Sequence, residues 1–251
     1  VLLIPTAWGI SRLTSTSDTR VFFSPANPYL QALEEFEQVY SKDESAFLVL
    51  APRDGTVFTR DTLKAVENLT DAAWQIPYSR RVDSLTNFQH TWAQGDDLVV
   101  EDLIEDAAHL SDTDIERVQT IALAEPLLVN RLVSTTGHVT GIYVTATKPG
   151  LVAEENADIA RAVRQLADDF RRAHPDIAVY LTGGIMLDQA FTEATERDMG
   201  TLIPIMFGVM VVTIALLVGS ISGTLATLVV IVASALTALG LAGWSGLVMT
   251  P

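Results

Sequence analysis

The chain has 251 residues, with 31 Asp and Glu against 16 Lys and Arg, a formal net charge of −15, 49% hydrophobic residues and no cysteine. Its mean hydropathy is nevertheless +0.30, a value that excludes a single acidic water-soluble globule. The acid excess argues against nucleic acid, since phosphate binding needs a basic face, and the missing cysteines exclude a disulfide framework, a thiolate nucleophile and a cysteine metal site.

The position of the charges resolves the conflict. Every Asp, Glu, Lys and Arg lies between Arg12 and Asp198, and from Met199 to Pro251 there is no ionisable side chain. The chain is therefore read as two materials: residues 12–198 as an acidic water-facing domain and 199–251 as a membrane part. The apolar start, Val1–Ile10, lacks an initiator Met and a basic n-region. Residues 1–11 are read as the end of a truncated first transmembrane helix, with Trp8 suited to the interface, and the whole as a fragment of a longer membrane protein.

After a polar exit segment, Asn27 is a suitable N-cap and Pro28 a suitable first residue for a helix over 28–40. Tyr29, Leu33, Phe36 and Tyr40 line one face at helical spacing, which predicts core packing. A strand over 46–51 is closed by Pro52-Arg53-Asp54-Gly55. An amphipathic helix over 60–74 follows, with Leu63, Val66, Leu69 and Ala73 inward. A second strand is expected over 81–88, with Val82, Leu85 and Phe88 inside.

Residues 89–137 read as an irregular insertion. Its acidic stretch (Asp96, Asp97, Glu101, Asp102, Glu105, Asp106) lacks the order of a calcium loop and reads as a solvated face. A helix then starts at Ser111, with Ser111 and Asp114 as a capping pair, and Pro126 interrupts it. A third strand is expected over 141–147. A long amphipathic helix over 153–173 carries Ile159, Val163, Leu166 and Phe170 on one stripe. His174-Pro175 stops it, and a fourth strand runs over 177–181.

Strand–helix–strand, insertion, strand–helix–strand is the order of a split βαβ, ferredoxin-like sheet, so the fold class is α+β. After Thr182-Gly183-Gly184, a helix carrying Asp188, Glu193, Glu196 and Asp198 leads directly into the apolar run. That run is too long for one span of a hydrocarbon core about 30 Å thick. It predicts a transmembrane α-helical hairpin, spans near 201–218 and 224–243, turning at Gly219-Ser220-Ile221-Ser222-Gly223. Small residues such as Gly208, Gly240 and Gly243 favour close helix approach in lipid. The water-facing domain lies on one side of the membrane and the 219–223 turn on the other.

The four histidines (His90, His109, His138, His174) show no metal-ligand spacing. There is no Ser-His-Asp or Gly-x-Ser-x-Gly pattern and no Gly-rich phosphate loop. No catalytic, cofactor-binding or metal residue is assigned, and an enzyme is disfavoured. The spans hold no proton relay, and substrate-binding residues stay unassigned.

Phe22-Phe23-Ser24-Pro25-Ala26-Asn27-Pro28, Val82-Asp83-Ser84-Leu85, Thr182-Gly183-Gly184 and the two adjacent spans together resemble the resistance–nodulation–division (RND) superfamily, in its MMPL-like branch of predicted exporters related to sterol-sensing-domain proteins. The resemblance implies a periplasmic porter domain in a multi-pass protein of the bacterial inner membrane. It implies proton-driven export of hydrophobic or amphiphilic molecules, with the bilayer and the remaining half of the transporter as partners, and it leaves a homo-oligomer open. It implies that the proton-carrying acids lie in a later span. The second span departs from the family's Phe-Arg-Ser ending, having Val218-Gly219-Ser220. The alternatives are the permease of an ATP-driven periplasmic exporter, a membrane-bound ligand-sensing receptor and, least favoured, a membrane-tethered hydrolase.

Overall fold

The computed structural model describes residues 8–15, 23–39, 44–147 and 155–249. In chain order these form a 3₁₀ turn (Gly9–Arg12), β1 (Thr14–Ser15), α1 (Pro28–Val39), β2 (Glu44–Pro52), α2 (Arg60–Ala73), β3 (Ser79–Asp83), β4 (Gln89–Gln94) and β5 (Asp97–Asp102). A second 3₁₀ turn (Ala107–His109) precedes α3 (Asp112–Ala124), β6 (Thr140–Ala146), α4 (Glu155–Ala173), β7 (Ile177–Thr182), α5 (Gly184–Val218), α6 (Ile221–Trp244) and β8 (Val248–Met249). The chain divides into two compact units, Glu37–Gln189 and Val1–Phe36 with Ala190–Pro251. The fold is α+β, a sheet unit followed by two long apolar helices.

In the sheet unit four strands lie in the order β3-β6-β2-β7, and every neighbouring pair is antiparallel. Alternation along β2 buries Ala46, Leu48 and Leu50 on one face, where Ile142, Val144, Val82 and Val179 join them. Helix α2 covers this face with Ala65, Val66, Leu69 and Ala73, and α4 covers it with Ile159, Val163 and Phe170, so both helices share one core. Each fully buried Leu, Ile or Val contributes about 1.5–3 kcal/mol. Thr59 caps α2 by accepting from the Thr62 N–H. Arg171 ties the end of α4 to the neighbouring strand by donating to the Val179 carbonyl at 2.7 Å.

A second core forms beside the first, in large part from the stretch over 89–137 read as an irregular insertion. Leu85, Leu103, Ile104, Val118, Ala122 and Leu128 close around Val57 and Leu63. Helix α2 thus serves two cores, Leu63 in one and Val66 in the other. Helix α3 starts with the expected capping pair, Ser111 and Asp114 each satisfying the other's backbone N–H. Hydrogen bonds from the Ser111 hydroxyl and N–H hold the Asp114 carboxyl below its ordinary 3.8. Asp106, which caps the second 3₁₀ turn, is likewise held low by its hydrogen bond with His109.

The strand expected over 81–88 is shorter. It ends at Asp83, because Ser84–Asn87 closes a turn through side-chain bonds that replace the ladder. Asn87 donates to the Val82 carbonyl at 2.7 Å and accepts from the Ser84 N–H at 2.8 Å. The Ser84 and Thr86 hydroxyls lie 2.8 Å apart, and Thr86 reaches Thr70 of α2 at 3.5 Å. This buried network separates Val82 in the first core from Leu85 in the second. Asn87→Ala is expected to destabilise the sheet unit by about 1–3 kcal/mol, since buried partners are left unsatisfied. Asn87→Asp, which keeps the acceptor for the Ser84 N–H but sets a carboxylate oxygen against the Val82 carbonyl, should cost at least as much; chemical denaturation of the full-length protein measures both.

Two other expectations are corrected. Residues 89–102 form a hairpin, with Gln94 opposite Asp97 and Gly95 at φ 67° in the two-residue turn. It gave no apolar alternation because no face of it is fully buried. The aromatic stripe of α1 is not core: Tyr29 is 85% exposed, Leu33 45% and Phe36 56%. Periodicity identifies an apolar face but not what covers it. The Asn27 cap is present, accepting from the Tyr29 N–H at 2.9 Å, while Tyr40 lies outside the described residues.

Candidate functional site

In the unit containing the C-terminal part of the chain, α5 and α6 present Leu216, Leu217, Ile221, Val229 and Val230 well exposed. Apolar helices of a water-soluble core bury such side chains; these offer them all round, and neither helix carries a charge beyond Asp198. Both are long enough to cross a bilayer. The break between them is narrower than expected, only Gly219 and Ser220. Gly219 takes φ 61° and ends α5 with its N–H on the Ala215 carbonyl. Ser220 starts α6 as N-cap, accepting from the Gly223 N–H.

Thr224, nearly buried beside this turn, returns its hydroxyl to the Ser220 carbonyl at 2.9 Å. Thr213, Thr227 and Thr237 make the same i−4 bond, so these hydroxyls are satisfied within their helices. Above the turn, Val211, Ala215 and Leu216 of α5 and Ile221, Leu225 and Leu228 of α6 line an apolar wedge of about 570 Å³. Its chemistry suits hydrocarbon: no charged group lines it.

The described start of the chain, from Trp8 on, packs on the far end of α6. Gly9 is buried against Gly240 and Trp244, and a Cβ on Gly243 would overlap the Gly9 carbonyl. Arg12 lies over the Trp244 ring with its guanidinium carbon 4.2 Å from the centroid. Beyond these contacts β1 and β8 pair in parallel, Thr14 with Val248 and Ser15 with Met249. Of the small residues named as packing positions, Gly240 and Gly243 are therefore used within the chain, whereas a Cβ on Gly208 would meet nothing within 4 Å. The residues before Trp8, read as the end of a first span, lie outside the described residues.

The sequence profile of the MMPL family matches residues 29–250. The chain belongs to the MMPL family. It is a membrane transporter chain of the RND/MMPL type, and its two apolar helices accord with residence in a membrane. No curated protein matches the chain.

The MMPL match spans Val82–Leu85, Thr182–Gly184 and both apolar helices and begins just after the Phe22–Pro28 motif, and the structure gives each motif a local task. Asn27 caps α1, Val82–Leu85 passes from one core to the other, and Gly183 makes the bend into α5. Phe22 lies outside the described residues. None of these motifs gathers chemical groups.

The sheet unit holds a polar groove of about 620 Å³, with Asp54, Asp61, Lys64, Asn68, His174 and Asp176 on its walls. It collects residues from the β2–α2 turn, α2 and the α4–β7 turn, a grouping that no sequence spacing announces. Among the described residues no group of three or more His, Cys, Asp or Glu could hold a metal ion. The acidic residues of the hairpin, Asp96, Asp97, Glu101 and Asp102, are exposed.

Proposed function

We propose that this MMPL chain is the part of a proton-driven exporter that carries one porter domain and two membrane spans, and that the cargo is hydrophobic or amphiphilic and lipid-like. The family match over residues 29–250 carries the proposal. The porter domain in this reading is the sheet unit, of ferredoxin-like type, and the order β3-β6-β2-β7 with two helices on one core supports it. It faces the periplasm, and the spans sit in a bacterial inner membrane. An uncharged wedge between α5 and α6 suits a cargo or neighbour made of hydrocarbon.

The proton path in this reading runs elsewhere in the transporter. From Met199 to Pro251 no side chain can carry a proton at membrane depth. The bilayer, the rest of the transporter and the amphiphile are the partners. In inverted membrane vesicles containing the full-length protein, a fluorescent long-chain amphiphile should move in an imposed proton gradient, and a protonophore should abolish that movement. Transport that persists unchanged without the gradient would reject proton coupling; no transport of any amphiphile would reject the substrate class.

A further inference from the structure

Helix α5 is 35 residues long and holds one proline, Pro204, inside it. A proline there has no N–H to give to the carbonyl four residues earlier, and its ring presses on that carbonyl. The residue four earlier is Gly200, the type that most easily absorbs the change in ψ. Next to it, Thr201 turns its hydroxyl back onto the Arg197 carbonyl at 2.7 Å, an i−4 bond that itself bends helices. Three features that each loosen or bend a helix thus fall within two turns. Among the described residues, a Cβ on Gly200 would meet no atom within 4 Å, and the same holds at Gly208.

The position in the sequence is also particular. Asp198 is the last charge of the chain, so the weakened turn lies where a water-compatible helix becomes an apolar one. The Gly200 carbonyl, deprived of its helical donor, can still be met by water at such a level, whereas deeper in hydrocarbon it would go unsatisfied. A proline kink is therefore placed where flexing it is cheapest. Thr213, further along, keeps its full helical surroundings and bonds the Val209 carbonyl at 2.8 Å, so back-bonding alone does not mark a hinge.

We propose that Gly200–Pro204 is a hinge in α5, so that the segment before it changes direction relative to the segment after it. The helix is then a jointed lever and not the rigid rod that its length and continuity would make it. The proposal concerns movement and stands whether or not the transporter is proton-driven.

Spin labels test it in the full-length protein reconstituted in lipid nanodiscs, with any other cysteines replaced. One pair, Ala194→Cys with Leu236→Cys, spans the hinge; the other, Leu216→Cys with Val229→Cys, lies on one side of it. All four sites are partly or well exposed. Ala194 is ten residues before Pro204, about 15 Å along the axis, so a change in kink of about 20° moves it by roughly 5 Å. The expected result is a broad or two-peaked distance distribution across the hinge, which Pro204→Ala narrows to one peak while the same-side pair stays narrow throughout. Gly200→Ala, which keeps the proline, is expected to narrow it in part. A cross-hinge distribution as narrow in the native helix as in Pro204→Ala overturns the hinge, as does an unchanged width in both variants.

Discussion

Gly183→Ala is expected to destabilise the sheet unit by about 2–6 kcal/mol, whereas Gly184→Ala, one position later, is neutral or stabilising. Gly183 takes φ 106°, a conformation an L side chain adopts only under strain. Its environment adds a second penalty. A Cβ there would lie 2.5 Å from the Ser45 carbonyl oxygen and 3.0 Å from the Ala46 Cα, both main-chain atoms. Rotating a side chain cannot relieve that contact, and β2 cannot easily retreat. Ser45 pairs with Thr145 on one side, and the next residues of β2 pair with β7 on the other. Gly184 begins α5, and a Cβ there would meet nothing within 4 Å. Thermal unfolding of the full-length protein, with limited proteolysis of the sheet unit, separates the two variants. Equal tolerance of both alanines would refute the assignment of Gly183 as the bend that lets β7 pass into α5.

The same residues show what the sequence could and could not announce. The run Thr182-Gly183-Gly184 is visible as a break between a strand and a helix, but nothing in it distinguishes the indispensable glycine from the dispensable one. That depends on β2, which lies more than 130 residues earlier in the chain yet adjacent in the sheet. Elements whose one face is buried were legible for the opposite reason. Alternation in β2 and the Ile159, Val163, Phe170 stripe in α4 report a local pattern imposed by one continuous core. The β4–β5 hairpin was not legible because it has no fully buried face to impose a pattern. In α1 the pattern was present and its interpretation failed, since Tyr29, Leu33 and Phe36 are exposed. An apolar stripe fixes the orientation of a helix only when its covering partner is known.

The candidate site divides in the same way. That residues beyond Met199 belong in a membrane follows from the absence of charge alone, and the helices respect it, breaking at Gly219 and Ser220 inside the expected turn. The contact between the chain start and α6 was beyond reach. It joins Gly9 to Gly240 and Gly243 across most of the chain, and glycines are frequent enough in apolar helices that their presence does not select partners. Arg12, the first charge of the chain, marked the edge of the apolar start without revealing that it settles on Trp244. The groove around Asp61 and His174 likewise comes from three separated segments.

Gly243→Leu should undock the chain start from α6, and Gly208→Leu should leave it docked. At Gly243 the added side chain runs into the Gly9 carbonyl and comes within 3.4 Å of Leu13, and the first of these is main chain. Overpacking of this kind costs about 1–3 kcal/mol, which lowers the docking equilibrium constant by about fivefold to a hundredfold or more. The loss spreads, because Arg12 over Trp244 and the β1–β8 pairing both need the Gly9 turn in place. At Gly208 there is open space and no such penalty. Cysteines at Thr14 and Val248, directly registered partners, report docking by disulfide formation in membranes, since neighbouring strand partners lie within bridging range. The native background and Gly208→Leu are expected to cross-link efficiently, and Gly243→Leu markedly less at equal expression, by up to the factor lost from the docking equilibrium. Gly243→Ala should fall between, as even a methyl group meets the Gly9 carbonyl. Cross-linking of Gly243→Leu at the native level would mean that the glycine contact does not hold the chain start, and that the short strands alone fix it on α6.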